Sequence, residues 1–211
     1  MARRWLGKKA AKRRPMSNPE RMAGGSRRGL TVHDEGQTRS AAERKKDITW
    51  LADYTNGKRI SYHLLYNPDT GQWIQMIPFD CAARSMKGGD VDGRGHSANR
   101  AGTYNIQICL AGYNASHGGP KPNWKRAKNL WVIALLMERY EIPNRVRTRW
   151  GRNAGRAKST WMKGGVQGHV HGPMDDHTDP GVIDVDEMLR ESRRQLKARR
   201  DRRSKAHGRT T

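Results

Sequence analysis

The sequence predicts an α/β protein, a mixed central β-sheet flanked by helices on both faces, and three observations carry that expectation. Short runs rich in β-branched and aromatic residues alternate with stretches of helical apolar spacing, the pattern of strands and the helices that cover them. Two of the runs, 59–66 (RISYHLLY) and 72–78 (QWIQMIP), flank the turn sequence NPDTG at 67–71 and read as a hairpin. A third stretch, 123–140, carries a broad apolar stripe of Ala127, Leu130, Trp131, Ile133, Ala134, Leu135, Leu136 and Met137, which must be buried across a sheet. With 211 residues, 34% of them apolar, one domain with a modest core is expected.

In chain order, residues 1–28 mix basic clusters with Pro, Gly and Ser, show no period and read as a flexible basic arm. Residues 29–33 are short and β-leaning, and they deliver His33 to a strand's C-terminal end, where ligands commonly sit in sheets flanked by helices. A helix is expected over 40–56: Ser40 caps it, Glu43 stands at the capping-box distance, Ile48, Leu51, Ala52 and Tyr54 supply its apolar face, and Gly57 stops it. After the hairpin, 82–100 is rich in Gly, Asp and Arg and reads as a surface loop over a site, while 103–110 (TYNIQICL) alternates and then turns apolar, as a buried strand does. Asn123 caps the helix over 123–140, Ile142-Pro143 ends it, and 145–163 reads as a basic loop carrying Trp150 and Trp161. Helical spacing resumes over 182–199 with Asp184 as cap, and that helix dissolves into a basic tail. The resulting division is a basic arm at 1–28, a folded domain at 29–190 and a basic tail at 191–211.

The formal charge of +22 is concentrated at the ends: residues 1–28 hold ten Lys or Arg against one acid, and 187–211 hold ten against three. Such arms bind polyanions, and charge alone admits RNA, DNA, anionic lipid and anionic wall polymers. No zinc-finger spacing and no RNA-binding aromatic signature is present, so nucleic acid is not expected as the specific partner. Cys81 and Cys109 make no disulfide framework and have no neighbour at metal-ligand spacing; Cys109 reads as a small buried hydrophobe. No apolar run approaches the roughly 18 residues of a membrane span, and no signal-peptide h-region is present. Synthesis in the cytoplasm is therefore expected, with a separate means of release if the target lies outside it.

The densest chemistry lies at 168–181, GHVHGPMDDHTDPG, with three histidines and three aspartates around two prolines. A hydrolytic zinc takes three protein ligands, His and carboxylate, and keeps a fourth position open. Two ligands from one loop and a third from a distant strand satisfy that plan, and His33 with His169 and Asp179 fits it. His171 is the alternative second ligand, and Asp175 or Asp176 could compete with Asp179.

These residues resemble the type 2 N-acetylmuramoyl-L-alanine amidases, a zinc family that includes many phage endolysins and is related to the peptidoglycan recognition proteins. Gly168-His169 followed ten residues later by Asp179-Pro180-Gly181 is similar to the family's late motif, and His33 to the histidine that closes its early strand. Tyr62-His63 looks like its Tyr-His, 67–71 like the turn that follows, and Ile106-Gln107-Ile108 like its Ile-Glu-Leu strand. The resemblance covers roughly 29–190. It departs from the family pattern at three places: His177 stands at the lysine position, a variant associated with amidases of actinobacterial phages; Gln107 stands where many members have Glu; and the family's loop histidine has no clear counterpart in 82–85.

The resemblance implies an amidase and peptidoglycan recognition protein-like fold and a Zn2+ cofactor on His33, His169 and Asp179. It implies Tyr62 and His177 as catalytic residues, Tyr62 orienting water or substrate and His177 donating to the oxyanion; His63, pointing to the opposite face of the strand, reads as structural. The substrate it implies is the amide joining N-acetylmuramic acid to L-alanine in bacterial peptidoglycan, with the basic ends holding the protein near anionic wall polymers and a phage endolysin as its biological setting. The competing expectations are a non-catalytic peptidoglycan binder on the same fold and a basic nucleic-acid-binding protein.

Overall fold

The computed structural model describes residues 5–8, 10–16, 19–37, 39–58, 60–86, 88–147, 150, 156–173 and 176–207. Six strands form one sheet in the order β1-β4-β3-β5-β2-β6: β1 (Lys12–Arg13), β2 (Arg28–Asp34), β3 (Leu64–Asn67), β4 (Gln72–Gln75), β5 (Tyr104–Leu110) and β6 (Gly165–Gly168). β2 lies parallel to β5 on one side and β6 on the other, β3 is parallel to β5, and the β3–β4 hairpin supplies the antiparallel pair. The mixed α/β sheet expected from the sequence is therefore present, and its central strands are buried on both faces, as parallel strands between helices must be.

Alternation along the strands sorts residues between two layers. Leu30, Val32, Leu64, Tyr66, Ile106, Ile108 and Val166 join the main core with α2 (Trp131–Arg139) and α4 (Val185–His207), which supply Val132, Ile133, Leu136, Met188 and Leu189. The opposite face carries Leu65, Ile74 and Cys109, packed against Ile48, Leu51 and Ala52 at the start of α1 (Thr49–Gly57). His33 pairs with Cys109 in register, so it emerges on the α1 face. Both faces are covered, but only this one carries the polar residues of the site.

Several element boundaries differ from the sequence expectation. The capping box at Ser40 and Glu43 does form, with Glu43 N donating to Ser40 Oγ at 3.2 Å and Ser40 N donating to Glu43 Oε2 at 2.8 Å. It starts only a single 3-10 turn, Glu43–Lys45; the chain then turns at Asp47, whose Oδ1 accepts the Thr49 N–H at 2.7 Å, and α1 begins anew at Thr49. The helix expected over 123–140 is reduced to α2 because Asn129 sits at φ 55, in the left-handed region. Asn129 is held there by two long-range bonds: its Nδ2 donates to Gly71 O at 2.9 Å and its carbonyl accepts Trp73 Nε1 at 3.0 Å. The strand expected over 59–66 is ordered as strand only from Leu64.

Both ends carry more structure than composition predicts. Where the sequence reads as a flexible arm, β1 adds to the edge of β4, Leu6 and Ala11 are buried, and the Leu6 N–H donates to Gln75 Oε1 at 2.7 Å. Residues 1–4, 9, 17 and 18 of that stretch lie outside the described residues. At the other end Asp184 caps α4 through Glu187 N at 2.7 Å, and α4 continues to His207 because Arg, Lys, Ala and Gln are good helix formers and the Lys197–Asp201 pair at 2.9 Å lies four residues apart. The loop at 82–100 and the basic stretch at 145–163 share a small core of their own, in which Met86, Val91, Ala98 and Ala101 surround the buried Trp161. Trp161 lies on the short helix α3 (Lys158–Trp161), and the Arg27 guanidinium stacks 4.3 Å from its ring. No helix among the described residues is long and apolar enough to cross a membrane.

Candidate metal centre

The register of β2 and β6 builds the centre. Val32 pairs with Gly168, so the next residues, His33 and His169, stand side by side at the C-terminal ends of two neighbouring parallel strands, ring centroids 4.7 Å apart. A 3-10 turn, His169–His171, follows β6, and the Val170 N–H donates to the Asp179 carbonyl at 2.9 Å, which folds the rest of the loop back onto it. Gly168 permits this fold: a Cβ there would lie 2.6 Å from Trp150 Cζ3 and 2.7 Å from Pro180 Cδ. Gly181, at φ 68, likewise has the backbone of Ala115 where a Cβ would stand, at 2.5 Å.

His33, His169 and Asp179 converge, all buried, with one ligand atom from each within 4.8 Å of the others. His169 Nδ1 is 2.9 Å from Asp179 Oδ1, and His33 Nδ1 is 3.3 Å from Asp179 Oδ2. The second approach makes no hydrogen bond, so His33 Nδ1 is a buried nitrogen with no hydrogen-bond partner among the described residues. An orphaned buried polar atom costs about 1–3 kcal/mol. Two ligands of a tetrahedral zinc, each about 2.0–2.1 Å from the ion, stand about 3.3 Å apart. The donor set of two imidazoles and a carboxylate, the spacing and the unpartnered nitrogen together fit a zinc ion.

The protonation states suit the same role. Burial and the neighbouring His169 outweigh the pull of Asp179 and lower the pKa of His33, which keeps the ring neutral. Burial works against ionisation of Asp179, but the His169 and His177 rings beside it overcome that and hold its carboxyl well below the ordinary value.

The centre opens into a groove of about 640 Å³ lined by Asp34, Tyr62, Arg84, His117, His169, His177 and Asp179, among others. The structure brings both remaining sequence candidates to this groove. His177 stacks on His169 at 4.4 Å, lies 3.5 Å from Asp179 Oδ1 and leaves 58% of its side chain exposed. Tyr62 meets His33 edge-on at 5.1 Å, and burial foremost raises its phenol pKa well above 10, so it is a hydrogen-bond donor at neutral pH.

Other histidines are kept out of the cluster. His171 Nδ1 accepts the Gly168 N–H at 2.9 Å and its ring packs against Trp150, which makes it a brace for the loop. His63 spans Gln107 N at 3.0 Å and the Cys81 carbonyl at 2.8 Å, and His96 pairs with Asp92 at 2.8 Å within its own loop. Asp176 is exposed at the rim of the groove, and Asp175 lies outside the described residues.

Two features escape sequence reading. Asp34, next to His33, is buried and accepts Ser116 Oγ at 2.9 Å, Ser116 N at 3.2 Å and Gly36 N at 3.1 Å, which ties the segment after β5 to the end of β2; its place beside His33 was the available signal. Ser85, in the segment where no loop histidine is found, lies 3.3 Å from His33 Nε2 and donates to Gln107 Oε1. Nothing in the local sequence marks that contact.

The family model described as N-acetylmuramoyl-L-alanine amidase matches residues 24–182. No curated protein matches the sequence significantly. Among solved structures, the fold is similar to hydrolase AmiA of Staphylococcus aureus in complex with its ligand, with a TM-score of 0.55, 14% identity, and coverage of 88% of this chain and 82% of that one. It is similar to a selenomethionine derivative of AmpD at a TM-score of 0.54, 19% identity and coverage of 89% and 96%. The Ph2119 endolysin from a Thermus scotoductus bacteriophage aligns at a TM-score of 0.46 and 14% identity over 85% of this chain and 99% of that one.

Proposed function

The chain belongs to the N-acetylmuramoyl-L-alanine amidase family, and on that premise we propose that it is a zinc-dependent peptidoglycan hydrolase that cleaves the amide between the lactyl group of N-acetylmuramic acid and L-alanine. The observation that carries this reading is the convergence of His33, His169 and Asp179 at the base of an open groove. Zinc held by those three side chains supplies a Lewis acid that polarises a carbonyl and acidifies water. The protein's own groups do the rest. Asp179 stays ionised and His33 neutral, as ligands must. Tyr62, held as a phenol, donates a hydrogen bond that orients the substrate carbonyl or the attacking water. His177, half in solvent and braced on the His169 ring, donates a hydrogen bond to the oxyanion that forms as water adds to the carbonyl carbon; the proton that the water gives up goes to the departing alanine nitrogen as the C–N bond breaks.

The finer reading is a phage endolysin, made in the host cytoplasm and acting at the wall after release. Histidine at 177 in place of the family's lysine supports it. In this reading 29–190 is the catalytic unit, and the basic ends, 1–28 and 191–211, hold it near anionic wall polymers.

The test is chemical. Purified protein should hold about one zinc per chain, and wall digests should gain free alanine amino termini without new reducing sugar ends. His33→Ala should lose both the metal and wall lysis. Lysis undiminished by a chelator, or release of reducing ends instead, would refute the proposal.

A further inference from the structure

Ser85, Gln107 and Asn99 form a hydrogen-bonded chain from His33 to the backbone of Met86. Its polarity follows from the backbone end, where there is no freedom. The Met86 N–H only donates and the Met86 carbonyl only accepts, and Asn99 meets both: Oδ1 accepts the N–H at 3.3 Å, and Nδ2 donates to the carbonyl at 2.8 Å. With Asn99 so fixed, its Oδ1 also faces Gln107 at 3.0 Å, which leaves Gln107 one orientation, Nε2 toward Asn99 and Oε1 toward Ser85. An amide oxygen only accepts, so the Ser85 hydroxyl proton is committed to Gln107. The Ser85 oxygen can then meet His33 Nε2 only as an acceptor. That contact places the His33 proton on Nε2 and the lone pair on Nδ1, against the pull of the Asp179 carboxylate, which lies 3.3 Å from Nδ1 and makes no hydrogen bond with it.

We propose that Ser85 and Gln107 are positioning residues that lock His33 in the Nε2-protonated tautomer, so that Nδ1 is a ready metal ligand before any ion arrives. The proposal rests on the reading of His33 as a ligand and gives Gln107 a task other than that of a base. It also explains why an amide suits position 107 here: a carboxylate would set an acceptor against Asn99 Oδ1 and force Asn99 off the Met86 backbone, loosening a loop whose Met86 and Ser85 line the groove. Hydrogen-bond partners behind a ligating histidine typically change metal affinity 10- to 100-fold when removed.

The full chain with isotope-labelled histidine gives two readouts: the His33 tautomer, from long-range proton–nitrogen NMR correlations of chelator-treated protein, and the zinc Kd, from competition with a chromophoric chelator. The parent should show His33 protonated on Nε2. Ser85→Ala should weaken zinc by about 10- to 100-fold, and Ser85→Thr, which keeps the hydroxyl, should restore it. Gln107→Leu frees the Ser85 proton to point at His33, so it should move the ring proton to Nδ1 and weaken zinc as well. A parent protonated on Nδ1, or a zinc Kd within about twofold of the parent in both Ser85→Ala and Gln107→Leu, overturns the proposal. Because the tautomer is read without metal, a parent that binds no zinc refutes the metal reading while the tautomer still decides this one.

Discussion

Replacing His63 by Gln should remove about 3 kcal/mol from the acid sensitivity of the fold. His63 Nδ1 accepts the Gln107 N–H at 3.0 Å, so its proton sits on Nε2 and goes to the Cys81 carbonyl at 2.8 Å. A second proton would set an N–H against the Gln107 N–H inside the sheet. Burial, with a smaller contribution from His33, outweighs the Cys81 carbonyl and Asp80 and lowers the His63 pKa to about 4. In the unfolded chain the same group titrates near 6.5. Between those values the unfolded chain holds a proton that the native protein does not, so stability rises with pH across the window and is lost as pH falls from about 6.5 to about 4; below that both states are protonated and the slope ends. At about 1.36 kcal/mol per pH unit the stake is about 3 kcal/mol, or about 6–12 °C in the unfolding midpoint of a chain this size. The assay is urea unfolding of chelator-treated parent and His63→Gln from pH 7 to pH 4. The variant starts less stable because its bonds are imperfect, and the gap should close on acidification, since the other titrating groups are common to both proteins. Profiles that stay parallel to within about 0.5 kcal/mol would refute the buried neutral imidazole.

Two further substitutions test the scaffold of the centre. Gly168→Ala places a methyl 2.6 Å from Trp150 Cζ3 and 2.7 Å from Pro180 Cδ, so overpacking should cost about 1–3 kcal/mol and displace the loop that carries Asp179; thermal unfolding together with zinc affinity reads both effects. Asn129→Ala loses the bond to Gly71 O and places an alanine at φ 55, and should cost about 1–3 kcal/mol by thermal unfolding, whereas Asn129→Gly should recover the backbone part of that loss.

The elements that were legible in sequence are those whose cause is local. β2 shows itself as a short β-leaning stretch, β5 alternates and then turns apolar, the hairpin shows its turn residues, and Asp184 stands where α4 needs its cap. The helix extents failed because a start signal does not fix a length. Ser40 and Glu43 cap as expected, yet the first turn ends at Lys45 and a second helix begins at Thr49, and Asn129 is held left-handed by partners 56 and 58 positions away. The centre divides in the same way. His169 and Asp179 share a motif, and the placement of His33 at a strand end made it the third candidate. Ser85 and Asn99 gave no signal, because what they do depends on which way hydrogen bonds point between residues brought together only by folding, 52 positions apart for Ser85 and His33.

The distance along the chain between His33 and its partners makes the register of the sheet a functional quantity. Leu30 and Val32 face the main core beside Val166, so the apolar face of β2 fixes its pairing with β6, and that pairing sets His33 next to His169. A slip of one residue would turn His33 into the core and Val32 toward the groove, since side chains alternate along a strand. The cost of burying the wrong face therefore guards the geometry of the site. One strand builds the core with Leu30 and Val32 and the candidate site with His33, and substitutions that shrink the first pair should disturb that site without touching His33, His169 or Asp179.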